Sequence, residues 1–241
     1  VDEYQEKILS FKKNDPLDRR IAAISAYASD QLNIKNEYSF CPNPLNYIYK
    51  TNVKKHTPDL EDFIKKLLSE LDDLDFKWQP AGKTTVKGYG TTGNLSKIGL
   101  SEYKKFETIL EKEIVEYQNL FKNNSCNFIT NWPKKHSFVS WSNRLKSEGH
   151  NIPHIHPSGW LSGVFYLKIP KKIKDNEAGI EFSLHGDNYY IINDKIPNKS
   201  FQPSVGDVLF FPSSLYHKTI PFKSNEERVC IAFDLVDSPS V

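Results

Sequence analysis

Two of the chain's seven histidines stand one residue apart in HIHPSGWLSGVFYL, residues 154–167. In extended backbone, residues i and i+2 face the same side about 6.6–6.8 Å apart along the chain. His154 and His156 can therefore converge on one ion. A third ligand must come from a neighbouring strand, and His217 in FPSSLYHKTIP, after the Gly206-Asp207 turn and the run VLFF, is placed to supply it. Neutral imidazoles suit iron, copper, nickel or zinc. Any one of these histidines alone reads as a polar strand end; the three together, in two strand-like segments, read as a metal site. Arg228 lies 228 − 217 = 11 residues further on and opens RVCIAFDL. Strand parity puts it on one face with Cys230, Ala232 and Asp234, opposite Val229, Ile231, Phe233 and Leu235. A guanidinium there can grip a carboxylate through two parallel hydrogen bonds. Tyr166 shares the parity of His154 and His156, which in a regular strand turns it to the same site. His150 is a weaker ligand candidate. His185 and His136 read as loop or strand-edge residues, and His56 as a residue ahead of a helix cap.

The elements that must position these residues change character along the chain. DPLDRRIAAISAYASDQL carries Leu17, Ile21, Ile24 and Tyr27 or Ala28 at helical spacing. A second helix starts near Thr57 as cap with Pro58 in its first turn, and its stripe is Leu60, Phe63, Ile64, Leu67, Leu68 and Leu71. WQPAGKTTVKGYGTTGNLSKIGLS reads as an extended or looped connection. The spacing predicts a third helix over Ser101–Phe121, with Tyr103, Phe106, Ile109, Leu110, Ile114, Tyr117 and Phe121 inward. From about Asn131 the period becomes strand-like in SFVSWSNRL, GWLSGVFYLKI, AGIEFSL, DVLFFP, YHKTIPF and RVCIAFDL. Six or more short strands in about a hundred residues imply a sandwich or barrel with helices packed outside. KKIKDNEAG and NDKIPNKSF read as polar exposed loops. The first of these and the longer DNYYIINDKIPNKSF are placed at the mouth of the site, with Tyr189 and Tyr190 packing a hairpin.

Composition narrows the partners. A formal net charge of +2 over 241 residues supplies no field that would select nucleic acid or an anionic membrane. No apolar stretch reaches the roughly 20 residues that span a bilayer, and the first residues lack a signal-peptide core, so a cytoplasmic protein is expected. Cys41, Cys126 and Cys230 are odd in number, scattered and unlike any zinc or redox spacing. A reducing compartment fits them and no disulfide is needed. The chain has no Met, even at position 1, so residue 1 need not be its natural start. Oligomeric state is not readable.

HIHPSGWLSGVFYL, then GIEF, then PSVGDVLFFPSSLYH, then ERVCIAF, resembles in order the double-stranded β-helix of 2-oxoglutarate- and Fe(II)-dependent oxygenases. More narrowly, it resembles a bacterial and phage group with a His-x-His-Pro segment, some members of which carry upstream tetratricopeptide helices; RRIAAISAYASDQ is similar to a remnant of these. The resemblance implies a mainly β jelly roll, cupin-like, braced by helices, with a helical region at 1–78 and the oxygenase domain at 79–241 including the helix near 101–121. It implies Fe(II) held by His154 and His217, with 2-oxoglutarate as cosubstrate and O2 consumed. Arg228 would bind the distal carboxylate, helped by Tyr166, and Cys230 stands where a serine commonly accompanies the arginine. His156 occupies the place of an aspartate or glutamate, and either it or a carboxylate from elsewhere completes the set. The expected reaction releases succinate and CO2 and hydroxylates a small-molecule or peptide substrate. Two other readings remain: a zinc or cupin-like enzyme with three histidines, which leaves Arg228 without a use, and a non-catalytic jelly roll that binds a partner through its helices.

Overall fold

The computed structural model describes residues 1–171, 174–186 and 188–238. Helices come first: α1 (Asp2–Asn14), α2 (Arg19–Gln31), then strand β1 (Tyr49–Asn52), helix α3 (Leu60–Asp72), strands β2 (Phe76–Trp78) and β3 (Thr85–Thr91), and helices α4 (Ser101–Phe121) and α5 (Asn127–Thr130). Seven strands follow: β4 (His136–Asn151), β5 (Leu161–Lys168), β6 (Ile180–Ser183), β7 (Asn198–Phe201), β8 (Asp207–Pro212), β9 (Tyr216–Thr219) and β10 (Arg228–Asp237). They form a seven-stranded sheet in the order β1-β8-β5-β10-β4-β3-β2 and a three-stranded sheet in the order β7-β6-β9. Neighbouring strands in both are antiparallel.

Strand parity divides the apolar side chains between two cores. One face of the large sheet, with Leu161, Phe165, Phe210, Ile231 and Phe233, packs on α3 and α4. Phe106 of α4 stacks on Phe165 with ring centres 4.3 Å apart. The opposite face, with Val164, Tyr166, Leu209, Phe211 and Cys230, meets Ile180 and Phe182 of the small sheet. The central strands are thus covered on both sides, which explains why β5 is buried from Leu161 to Leu167 and β8 along its whole length. Gly163 lets β5 lie against β10, since a Cβ there would sit 2.2 Å from Cζ of Phe233.

The helix at 101–121 has the bounds its stripe predicts, and α3 carries Glu70, whose carboxylate accepts from the backbone N–H of Glu102 and Tyr103 at the start of α4. Some local expectations change. Asp59, not Thr57, caps α3, accepting from the Asp62 N–H at 3.0 Å. The Gly/Thr-rich connection contributes β2 and β3 to the large sheet, and β1 adds to its other edge beside β8. NDKIPNKSF is not all loop, because Asn198–Phe201 pairs with β6 as β7. No described helix is long and apolar enough to cross a membrane.

Candidate metal and cosubstrate site

The three histidines meet at one end of the space between the sheets. Their ring centres are 4.3 Å (His154–His217), 5.0 Å (His156–His217) and 5.1 Å (His154–His156) apart. One ligand nitrogen from each lies within 4.8 Å of the others. The segment that carries His154 and His156 is extended but is not a regular strand. His154 forms an isolated bridge with His217, its N–H donating to the His217 carbonyl at 3.1 Å, and the His156 N–H donates to the Ser213 carbonyl. A turn follows, closed by the Gly159 N–H on the His156 carbonyl. That turn breaks the parity argument linking His154 to Tyr166: Tyr166 is instead buried deeper between the sheets, beside Cys230.

Each imidazole is oriented by a partner at Nδ1. His154 Nδ1 is 2.7 Å from the Ile152 carbonyl, His217 Nδ1 is 3.2 Å from the Leu215 carbonyl and His156 Nδ1 is 2.6 Å from Oδ1 of Asp234. A carbonyl or carboxylate oxygen only accepts, so Nδ1 carries the proton and each Nε2 keeps its lone pair for a metal. Burial, reinforced by the neighbouring His156, lowers the His154 pKa to about 4, and burial pushes His217 well below its ordinary value. Both are neutral near pH 7, as metal ligation requires.

The Asp234 carboxylate also accepts from Ser162 Oγ at 2.6 Å, and Ser162 contacts Ser213 Oγ at 2.7 Å. Sequence reasoning placed Asp234 on the face of Arg228 but gave it no role. Three neutral imidazoles with one carboxylate carry the same formal charge as two imidazoles with a directly ligating carboxylate. Here the carboxylate stands one imidazole away from the centre of the histidine cluster.

Arg228 is 1% exposed at the start of β10. Its Nε donates to the Ala178 carbonyl at 2.9 Å, Nη1 to Cys230 Sγ at 3.4 Å, and its guanidinium lies 4.8 Å from the Tyr166 ring centre. No carboxylate pairs with it among the described residues. The Tyr166 hydroxyl beside it is buried with no hydrogen-bond partner, and burial raises its pKa. A buried cation without a counter-ion and an orphaned hydroxyl are each costly. Together they fit a ligand carboxylate. Phe182 and Phe211, in the same interior core as Tyr166, pack on His217, so this core joins the arginine to the histidines.

A cavity of about 690 Å³ opens on His154 and His217 and is lined further by Ile152, Glu181, His185, Tyr216 and Lys218. Its outer wall includes Ser183, His185, Gly186, Asn188 and Ile196; among the described residues, none of KKIKDNEAG lines it. Asp187, Lys172 and Ile173 lie outside the described residues. Helix α2 holds this wall. Gln31 Oε1 accepts from the Ile192 and Asn193 N–H groups at 2.9 Å each, and the Tyr27 hydroxyl donates to the Tyr190 carbonyl at 2.9 Å. Tyr189 packs as expected, stacked on Tyr27 with centres 5.2 Å apart, whereas Tyr190 is 85% exposed. At its other end α2 holds the metal-site turn, Arg19 Nε donating to the Gly159 carbonyl at 2.7 Å.

The remaining histidines stand apart from the cluster. His150 Nδ1 meets the Glu148 carbonyl and His136 pairs with Glu111. His56 pairs with the fully buried Glu113. Glu113 and Glu116 also form a second potential metal-binding group with His56, but Lys55 Nζ already bridges both carboxylates at 2.9 and 2.7 Å.

Residues 139–234 match the family model described as "Putative 2OG-Fe(II) oxygenase". No curated protein sequence matches the chain. Among solved structures, a prolyl-4-hydroxylase from Pseudomonas putida is similar at 11% identity and a TM-score of 0.54, over 82% of this chain and 95% of that one. A prolyl hydroxylase from Trichoplax adhaerens, in complex with a hypoxia inducible factor peptide fragment, is similar at 14% identity and a TM-score of 0.54, over 90% of each chain. HygX from Streptomyces hygroscopicus, with nickel and 2-oxoglutarate bound, is similar at 12% identity and a TM-score of 0.53, over 87% of each. These likenesses establish the jelly-roll fold. The family match spans residues 139–234, the stretch that carries His154, His156, His217, Arg228 and Asp234, and over that stretch the chain is similar to 2-oxoglutarate- and Fe(II)-dependent oxygenases.

Proposed function

We propose that His154, His156 and His217 hold Fe(II) through Nε2, that Arg228 and Tyr166 bind the distal carboxylate of 2-oxoglutarate, and that the cavity beyond His154 and His217 takes the substrate. When bound, iron and cosubstrate supply the oxidation: O2 and 2-oxoglutarate are consumed, succinate and CO2 leave, and one oxygen atom enters a C–H bond of the substrate. The protein's own residues orient and exclude water. Asp234 fixes the His156 tautomer, Cys230 accepts from the guanidinium and steadies it, and the Phe182 and Phe211 rings keep the space behind His217 dry. The Glu181–Lys218 pair at 2.9 Å, with Ser183, His185 and Tyr216, gives the cavity a polar wall suited to a polar small molecule or a peptide side chain. No nucleic-acid partner is proposed. The free thiols of Cys41, Cys126 and Cys230 fit a cytoplasmic setting.

The buried, unpaired Arg228 carries this reading over a zinc enzyme, which would have no use for it. The test is anaerobic titration of the metal-free protein with Fe(II) and then 2-oxoglutarate, followed by succinate analysis after O2 is admitted. Saturable 2-oxoglutarate binding that depends on both Fe(II) and Arg228 is expected. Tight stoichiometric zinc that iron does not displace, with no 2-oxoglutarate binding, would overturn the assignment.

A further inference from the structure

The cavity assigned to the substrate lies on the His154–His217 side of the histidine cluster. His156 borders the other flank, which β4 and the turn between β2 and β3 build. Trp141 and Asn143 of β4 stand opposite Ala232 and Cys230 of β10, so they share the sheet face of Arg228, Cys230 and Asp234. The Trp141 and His156 ring centres are 5.4 Å apart. Trp141 is half-buried, no group accepts from its indole N–H among the described residues, and Val139 on the same face is 39% exposed. An aromatic face beside one of the three histidines is therefore open to what approaches them from this side. Two polar groups here also lack partners. Asn143 is 5% exposed, yet no hydrogen bond reaches its carboxamide among the described residues; a buried amide left so is costly unless a ligand completes it. Lys83 pairs with no carboxylate among the described residues, and its Nζ lies 5.9 Å from the Trp141 ring centre. The turn that carries Lys83 is closed by its N–H on the Pro80 carbonyl at 3.1 Å. Pro80 lies over Gly90, where a Cβ would come within 3.3 Å of both Pro80 Cγ and Asn143 Oδ1, so the missing side chain lets the turn reach across β3 to β4.

We infer that Trp141 and Lys83 are specificity-determining residues of a second substrate subsite on the His156 flank, and that the substrate is a carboxylate with a flat apolar body. The inference rests on the oxygenase reading and names the substrate class that reading leaves open. The flat body lies on the indole face, where an aromatic pair contributes beyond the area it covers. The carboxylate meets the Lys83 ammonium, for which no protein carboxylate competes. One unpaired ammonium balances one carboxylate, whereas a phosphate dianion would be left half compensated. Asn143 offers its free amide deeper on the same face. A body held on Trp141 has its near edge beside His156, and polar substituents can extend past the histidines to the cavity lined by Glu181 and Lys218.

The experiment uses the full chain loaded with Co(II) and saturating 2-oxoglutarate without O2, with 3-phenylpropionate and its neutral amide as probes. Isothermal titration first measures 2-oxoglutarate binding; its absence would refute the oxygenase reading and this inference with it. Probe affinity is then read from broadening of the phenyl proton signals, with the Zn(II)-loaded chain as the diamagnetic blank. The unaltered chain should broaden these signals and hold the carboxylate about two- to fivefold more tightly than the amide. Lys83→Gln should abolish that preference. Trp141→Leu should weaken both probes about three- to tenfold, and Trp141→Phe should recover most of the loss. Lys83 is exposed, so its arm stands even where a Trp141 variant fails to fold. With 2-oxoglutarate bound, the inference alone would be overturned by any of four results: no broadening in the unaltered chain, equal affinity for the two probes, undiminished affinity in Trp141→Leu, or displacement of 2-oxoglutarate by the probe.

Discussion

Removing the Asp234 carboxylate should weaken metal binding without dismantling the site. Asp234 makes two hydrogen bonds at 2.6 Å, to His156 Nδ1 and Ser162 Oγ. Ser162 retains Ser213 at 2.7 Å after the substitution and also stands 3.2 Å from His156 Nδ1, so His156 loses its charged partner but keeps a hydroxyl within reach. A hydrogen bond to a charged group contributes about 1.5–3 kcal/mol net. Substituting such an outer partner of a metal-ligating histidine typically costs about 10–100-fold in affinity, which is about 1.4–2.7 kcal/mol. Asp234→Ala should therefore lose about one to two powers of ten in affinity. Asp234→Asn keeps an acceptor oxygen but not the charge, and should lose less. Anaerobic competition of Co(II) or Fe(II) against a coloured chelator measures this directly, with the melting temperature of the metal-free protein as control for folding. The same geometry predicts an asymmetry. His156→Asp alone should not improve binding, because the new carboxylate lies beside Asp234 and two like charges there resist joint ionisation. His156→Asp with Asp234→Asn should bind better than His156→Asp alone. Unchanged metal affinity in Asp234→Ala would refute the reasoning.

Arg228→Met should lower 2-oxoglutarate affinity by about thirtyfold or more, since a desolvated charge partner is worth about 2–5 kcal/mol, yet leave the metal-free chain at least as stable, because an unpaired buried cation is removed; isothermal titration and chemical denaturation separate the two effects. For the metal-free protein, depressed histidine pKa values mean that the unfolded chain binds protons that the folded one refuses. Stability should fall as pH drops from about 6.5 towards 4, by up to about 2 kcal/mol at pH 5 from His154, and His154→Asn should flatten that slope in urea melts. Glu113→Ala leaves His56 without its buried partner and Lys55 with only Glu116, and should cost roughly 2–4 kcal/mol of unfolding free energy by the same measurement. Gln31→Ala should speed amide exchange at Ile192 and Asn193, whose N–H groups it releases, while the exchange of β5 and β8 amides stays unchanged.

What could be read from the sequence depended on how far apart the cooperating residues lie. Helix α4 was legible because its inward stripe repeats for 21 residues, and β5, β8 and β10 because both faces of each central strand are covered. Helix α1 buries only Ile8, and β7 is three-quarters exposed Asn, Lys and Ser, so neither carries a periodic signal. The site divides in the same way. His154, His156, His217 and Arg228 announce themselves by type and spacing, but the identity of the third ligand turns on a carboxylate 234 − 156 = 78 residues away. The Asp234 side chain is brought to His156 by the register Asp234↔Ser162 between β10 and β5, and by the turn that folds His156 back over that pair. Register between distant strands has no local signature. A histidine in the usual place of a carboxylate therefore looks like a departure in sequence, whereas in the fold a carboxylate is still present, one imidazole further out from the histidine cluster.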